Sequence, residues 1–135
     1  MFMDMKYKTN ESSTYMINYH IVFCSRRRRK IFDVDGVIGR FKVLVAKRCE
    51  ELDIEVATIV CGSDYAYLIL KCLPTHSPSD IMYHIKRYTS KTIRAEFEIL
   101  SKSGSLWTLH YLVSTAETID NETIYKYVES QPKRT

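Results

Sequence analysis

Ile59-Val60-Cys61-Gly62-Ser63-Asp64-Tyr65-Ala66-Tyr67-Leu68-Ile69-Leu70-Lys71-Cys72-Leu73-Pro74 is the stretch on which the fold turns. Gly62, Ser63 and Asp64 are turn formers, and their flanks are the β-branched, aromatic and aliphatic residues that suit a pleated surface. The two flanks lie too close together to be anything but a hairpin. Side chains alternate along a strand, so Tyr65, Tyr67, Ile69 and Lys71 share one face. Ala66, Leu68, Leu70 and Cys72 share the other, which is the better candidate for the core. Two tyrosines at i and i+2 therefore look outward together. Asp64 belongs to the turn and is expected to cap locally or point away from the Tyr65 face.

Upstream of the hairpin, Tyr15, Ile17, Tyr19, Ile21 and Phe23 recur at period two, which predicts a first strand over Thr14 to Ser25. Met1 to about residue 12 reads as a loose lead-in. Val37, Phe41, Leu44, Val45, Cys49 and Leu52 recur at helical spacing and predict a helix from Asp35 to Leu52. The hairpin strands are Ile54 to Cys61 and Tyr65 to Leu73.

Downstream, Ser77 caps a helix with Pro78 at its first position and Asp80 in its first turn. Its expected buried stripe is Ile81, Ile85, Tyr88 and Thr92. Arg87, Lys91 and Arg94 form a basic stripe on another face, and the helix is expected to reach about Phe97. After a loop at residues 101–105, Leu106 to Ser114 reads as a fourth strand, with Trp107 and Tyr111 on one side. Asp120 caps a last short helix, Ile119 and Ile124 can staple its start, and Pro132 stops it. The order strand, helix, strand, strand, helix, strand, helix is that of a ferredoxin-like βαββαβ fold. It predicts a four-stranded antiparallel sheet, with the two long helices on one face, plus a C-terminal helix.

The chain has 135 residues and a hydrophobic content of 45%, enough for one domain with a buried core. A single domain over 1–135 is expected, with a short basic tail at 132–135. No apolar run is long enough to span a bilayer, and no signal-peptide pattern opens the chain, so a cytoplasmic protein without a membrane partner is expected. The four cysteines form no C-x-x-C pair and read as small hydrophobes rather than as zinc ligands or a disulfide framework. Net charge is +4, yet Arg26-Arg27-Arg28-Arg29-Lys30 alone contributes +5. The positive charge is concentrated, which points to a polyanion partner or to a solvated strand end.

Several of these stretches share the pattern of one family. A strand bearing D-H-x-H, an apolar run and a Pro marks the HUH single-tyrosine transposases of the smallest bacterial and archaeal insertion sequences, and Asp64-Tyr65-Ala66-Tyr67-Leu68-Ile69-Leu70 resembles it with both histidines replaced by tyrosine. Tyr127-Val128-Glu129-Ser130-Gln131 resembles the family's nucleophile motif, with Tyr127 and Gln131 one turn apart. Tyr19 to Ser25 with the basic run, Leu106 to Val113, and Lys86-Arg87-Tyr88-Thr89-Ser90-Lys91 resemble its first strand, last strand and DNA-contacting helix. The likeness runs from about Tyr15 to Gln131.

The resemblance implies a chain acting on single-stranded or hairpin DNA. Tyr127 would be the nucleophile that forms a 5′-phosphotyrosine. Positions 65, 67 and 131 would hold Mg2+ or Mn2+, and two copies would form a homodimer in which the last helix of one completes the site of the other. Tyr65 and Tyr67 depart from that ligand set, because a neutral phenol is a poor partner for a hard cation at pH 7. No cofactor is therefore expected, with Mg2+ or Mn2+ only if activity is retained. Among the histidines, His20 neighbours the hairpin strand as a structural group, His110 has the same standing, and His76 and His84 lie away from the site. DNA contacts are expected from Arg26, Arg27, Arg28, Arg29, Lys30, Lys86, Arg87, Lys91, Arg94, Tyr65 and Tyr67. Three functions follow in order: a DNA binder with weakened or lost strand cleavage, an active transposase, and a ferredoxin-like dimeric module unrelated to nucleic acid.

Overall fold

Ile17–Cys24 forms the central strand because its alternate residues feed two different cores. In the computed structural model, which describes residues 7–115 and 118–132, Ile21 and Phe23 point to one face, and Val22 and Cys24 to the other; all four are fully buried. The elements are β1 (Lys8–Thr9), β2 (Thr14–Tyr15), β3 (Ile17–Cys24), α1 (Val37–Glu51), β4 (Glu55–Cys61), β5 (Tyr65–Cys72), α2 (Pro78–Glu96), β6 (Leu112–Ser114) and α3 (Asn121–Ser130). The four-stranded sheet has the order β4-β5-β3-β6 with every pair antiparallel. This is the expected ferredoxin-like arrangement.

The hairpin closes as read. Cys61 pairs with Ala66, and the Gly62 N–H donates to the Tyr65 carbonyl at 2.9 Å. A Cβ at Gly62 would overlap the Tyr65 ring, so glycine here lets the aromatic fold back on its own turn. Helices α1 and α2 cover one sheet face. Phe41, Leu44, Val45, Ile81, Ile85 and Ile93 meet Leu68 and Leu70 there. The bidentate Arg40–Glu96 pair (2.6 and 2.8 Å) and the Arg48–His84 contact (2.8 Å) join the two helices. Helix α3 lies on the opposite face, where Ile119, Ile124 and Val128 meet Val22, Cys24 and Tyr67.

Four expectations need correcting. The first strand is split: Thr14–Tyr15 leaves the main sheet and pairs with Lys8–Thr9, so part of the supposed lead-in is a strand. The fourth strand keeps only Leu112–Ser114 and an isolated Ser25–Trp107 bridge. Between them the chain bends toward α2, because better partners wait there. Leu106 N donates to Ser90 Oγ, Trp107 Nε1 to Thr89 Oγ1, and Lys86 Nζ to the Thr108 and His110 carbonyls. The buried face of α2 is Ile81, Met82, Ile85, Thr89, Ser90 and Ile93, with Tyr88 and Thr92 only half-buried on its flank. That rotation follows from the same bent segment, whose N–H groups need Thr89 and Ser90. Finally, the Tyr65–Tyr67 face is not open, since α3 covers it. The tail beyond Pro132 lies outside the described residues.

Candidate active site and nucleic-acid interface

Beneath α3, three of the expected site residues come together. Tyr67 is buried (6% exposed), and Tyr65 and Tyr127 pack half-buried against the same cluster. Asp120 accepts the Thr123 N–H at 2.7 Å and fixes the start of α3, while Ile119 and Ile124 are both buried as a staple would require. This places Tyr127 on the sheet side of the helix.

The hydroxyls in this cluster have distinct surroundings. Tyr67 Oη accepts the Ile119 N–H at 3.0 Å and lies 3.4 Å from His20 Nδ1. His20 is buried, and burial lowers its pKa, so it stays neutral at pH 7. The Tyr127 hydroxyl is buried without a hydrogen-bond partner. Burial, and secondarily the Cys24 thiol, pushes its pKa up to about 12. Tyr127 is therefore a protonated phenol in this arrangement. Cys24 itself is raised to about 12, chiefly by burial.

Gln131 stands just past the helix as its C-cap, with Nε2 3.3 Å from Ser130 Oγ. Its side chain lines a cleft with Arg26, Trp107 and His110. Among the described residues no hydrogen bond joins it to Tyr65, Tyr67 or Tyr127. The donors at positions 65, 67 and 131 are thus two phenols, one already engaged, and a lone amide. No group of three or more His, Cys, Asp or Glu able to hold a metal occurs among the described residues. This donor set does not fit a hard divalent cation, which prefers carboxylate, imidazole or water ligands.

The basic residues divide into three groups. Arg28 is not a free DNA contact: its side chain is 12% exposed, Nε meets Asp64 Oδ2 at 3.2 Å, and Nη2 meets Glu129 Oε1 at 3.2 Å. It ties the hairpin turn to α3. The expectation for Asp64 fails with it, because the carboxylate turns toward Arg28 and shares a cleft with Tyr65. Lys86 is also turned inward. Its ammonium lies over the Phe23 and Tyr111 rings while holding two carbonyls, and burial lowers its pKa to about 8.

The second group, Arg87, Lys91 and Arg94, lines one side of an open cleft of about 600 Å³, opposite Trp107 and Tyr111. Tyr83, which sequence reasoning missed, shares this wall and stacks under Arg87. Its i, i+4 spacing to Arg87 was the available signal. In the third group, Arg27 and Arg29 line a separate cleft with Lys102, another missed residue, while Arg26 lies beside Gly104 and lines the Gln131 cleft. Nothing in the 101–105 loop marked Lys102 for this place. Lys30 is exposed at the end of the run. Outside the clefts, His76 Nδ1 accepts the Leu73 N–H at 3.1 Å, and no described helix is long and apolar enough to cross a membrane.

The family model described as "Transposase IS200 like" matches residues 13–131. The chain belongs to the IS200-like transposase family. The ISDra2 transposase TnpA of Deinococcus radiodurans is 22% identical over 134 residues, covering 97% of this chain and 95% of that protein. The IS200 transposase of Salmonella typhimurium is 26% identical over 102 residues, covering 72% of this chain and 65% of its own length. A crystal structure of a Deinococcus radiodurans protein described as a transposase superposes with a TM-score of 0.84 at 23% identity, covering 93% of this chain and 98% of that one. A REP-associated tyrosine transposase bound to a REP hairpin superposes with a TM-score of 0.57 at 10% identity, over 90% of this chain and 69% of that one. These structural likenesses establish the shared fold.

Proposed function

We propose that this IS200-like transposase holds single-stranded or hairpin DNA and that its metal-dependent strand cleavage is weakened or lost. The observation that carries the reading is the engagement of Tyr67: the side chain at a metal-ligand position of the family's motif accepts a backbone N–H and touches a neutral histidine. A phenol so occupied does not polarise a phosphate. The protonated Tyr127 beside it lacks a base within the cluster to activate it. The capacity to hold DNA rests on Arg87, Lys91 and Arg94 along one cleft and on Arg26, Arg27 and Arg29 along two others. The solved complex of a protein of this fold with a hairpin supports the same class of partner.

Gel-shift titration on imperfect DNA hairpins tests the first half of the proposal. Affinity no better than for random duplex overturns it. Denaturing gels with Mg2+ or Mn2+ test the second half. The wild-type chain should give little protein–DNA adduct, and the Tyr65→His/Tyr67→His double variant should gain it. An abundant wild-type adduct through Tyr127 would instead establish an active transposase with a 5′-phosphotyrosine intermediate.

A homodimer completes the proposal. β4 and β6 are both edges of the sheet, and unpaired edges invite pairing with a second copy. Sedimentation of the purified chain at micromolar concentration should give twice the monomer mass.

A further inference from the structure

Leu109 is 95% exposed, although the residues around it are held firmly. The Thr108 N–H donates to the Cys24 carbonyl at 3.1 Å, and Lys86 Nζ clamps the carbonyls of Thr108 and His110 at 2.7 and 3.1 Å. Two residues before it, Trp107 is buried, stacked edge-on against Phe23 at 4.9 Å and bonded through Nε1 to Thr89 at 3.0 Å. A large apolar side chain thus stands in water on a braced turn, so ordering it on binding costs little. Cations stand on both sides of it, several in one cleft and Arg26 alone in the other, which is otherwise mainly apolar. Leu109 lines both the cleft of Arg87, Lys91 and Arg94 and the cleft of Arg26 and Gln131, and forms part of the ridge between them.

An apolar tip with a basic groove on one side and Arg26, in a mainly apolar groove, on the other has a chemical match in nucleic acid. Bases offer an apolar face at a helix end, and the two strands leaving that end offer phosphates on either side. We infer that Leu109 is a wedge that packs against the terminal base pair where a DNA hairpin stem meets its single strand, with one strand along the Arg87–Lys91–Arg94 cleft and the other passing Arg26. Apolar side chains inserted at base steps act in this way elsewhere, exchanging stacking for protein contact. The charge complementarity of the flanks selects DNA over a second copy of this chain, whose matching surface would be equally basic. The inference rests on the DNA-holding reading above and adds the position of the stem end.

The test places 2-aminopurine either in the terminal stem pair or at mid-stem of an imperfect hairpin. Wild-type chain should raise fluorescence at the terminal pair and not at mid-stem. Leu109→Ala should remove that signal and weaken binding roughly tenfold, the size of one lost stacking contact. Its dependence on salt should not change, since no charge is removed. The side chain is exposed, so the variant keeps its fold. Wild-type binding without a terminal signal overturns the wedge alone, as does Leu109→Ala that retains both signal and affinity. A variant that falls from dimer to monomer with unaltered DNA binding overturns it too, assigning Leu109 to a protein contact. Failure of wild-type chain to bind any hairpin overturns the DNA-holding reading and the wedge together.

Discussion

Tyr67 Oη accepts the backbone N–H of Ile119 at 3.0 Å, across 52 residues of sequence. This phenol, which the proposed function sets at a metal-ligand position, is therefore a peg for the chain entering α3. The same side chain on which the proposed loss of metal binding rests thus also fixes the helix that carries Tyr127, the proposed nucleophile. The second tyrosine, Tyr65, lies at the opening of the same cluster, beside Arg28, Asp64 and Tyr125.

Tyr67→Phe keeps the ring and removes the acceptor. The buried Ile119 N–H then lacks a partner, which costs about 1–3 kcal/mol. Urea unfolding should show a lower midpoint with an unchanged slope. An unshifted midpoint would mean that the bond contributes nothing to anchoring α3.

Tyr127→Phe should act in the opposite direction on stability. The Tyr127 hydroxyl is buried without a partner, so its removal relieves a desolvation cost of about 1 kcal/mol. The midpoint should rise, while any protein–DNA adduct should vanish. A fall in midpoint would place a hydrogen-bond partner on that hydroxyl.

Arg28 and Arg87 should separate fold from binding. Arg28→Ala leaves Asp64 and Glu129 without their guanidinium and should destabilise by about 1–3 kcal/mol. Arg87→Ala on the exposed cleft wall should change stability by less than about 0.5 kcal/mol. It should instead weaken hairpin binding and reduce the salt slope by about 1. Thermal melts and salt-dependent titrations of both variants check the assignment, which fails if the two effects exchange places.

Stability should decline in alkali. Burial raises Cys24, Cys49 and Cys72 to about 12 and Cys61 to about 11, from an ordinary 9.0, and Tyr127 from 10.0 to about 12. Above about pH 9 the unfolded chain releases these protons while the folded chain keeps them, so unfolding gains as pH rises. Lys86 works the other way. Its pKa falls from 10.5 to about 8, so the unfolded chain binds more protons between those values and its contribution to stability rises there. Five acids against one base give a net loss, and Tm under reducing conditions should fall from about pH 9 upward. A Tm that climbs through pH 10 would contradict the burial of these groups.

The residues themselves determined the order of elements. Period-two alternation in Ile17–Cys24 and Tyr65–Cys72, helical spacing from Val37 to Cys49, and the turn at Gly62 to Asp64 are local signals, and each gave the element it predicts. The Ser77 and Asp120 caps were legible for the same reason, as was the Arg87–Lys91–Arg94 stripe, since their partners lie within a turn. Tertiary structure decided what covers each face. Alternation put Tyr65 and Tyr67 on a common side but could not say that α3 would close over them. Nor could it show that Arg28 would spend its charge on Asp64 and Glu129, or that residues 106–111 would leave the sheet for Thr89, Ser90 and Lys86. Those outcomes depend on hydrogen bonds and burial between residues far apart in the chain, whose free energies no local pattern contains.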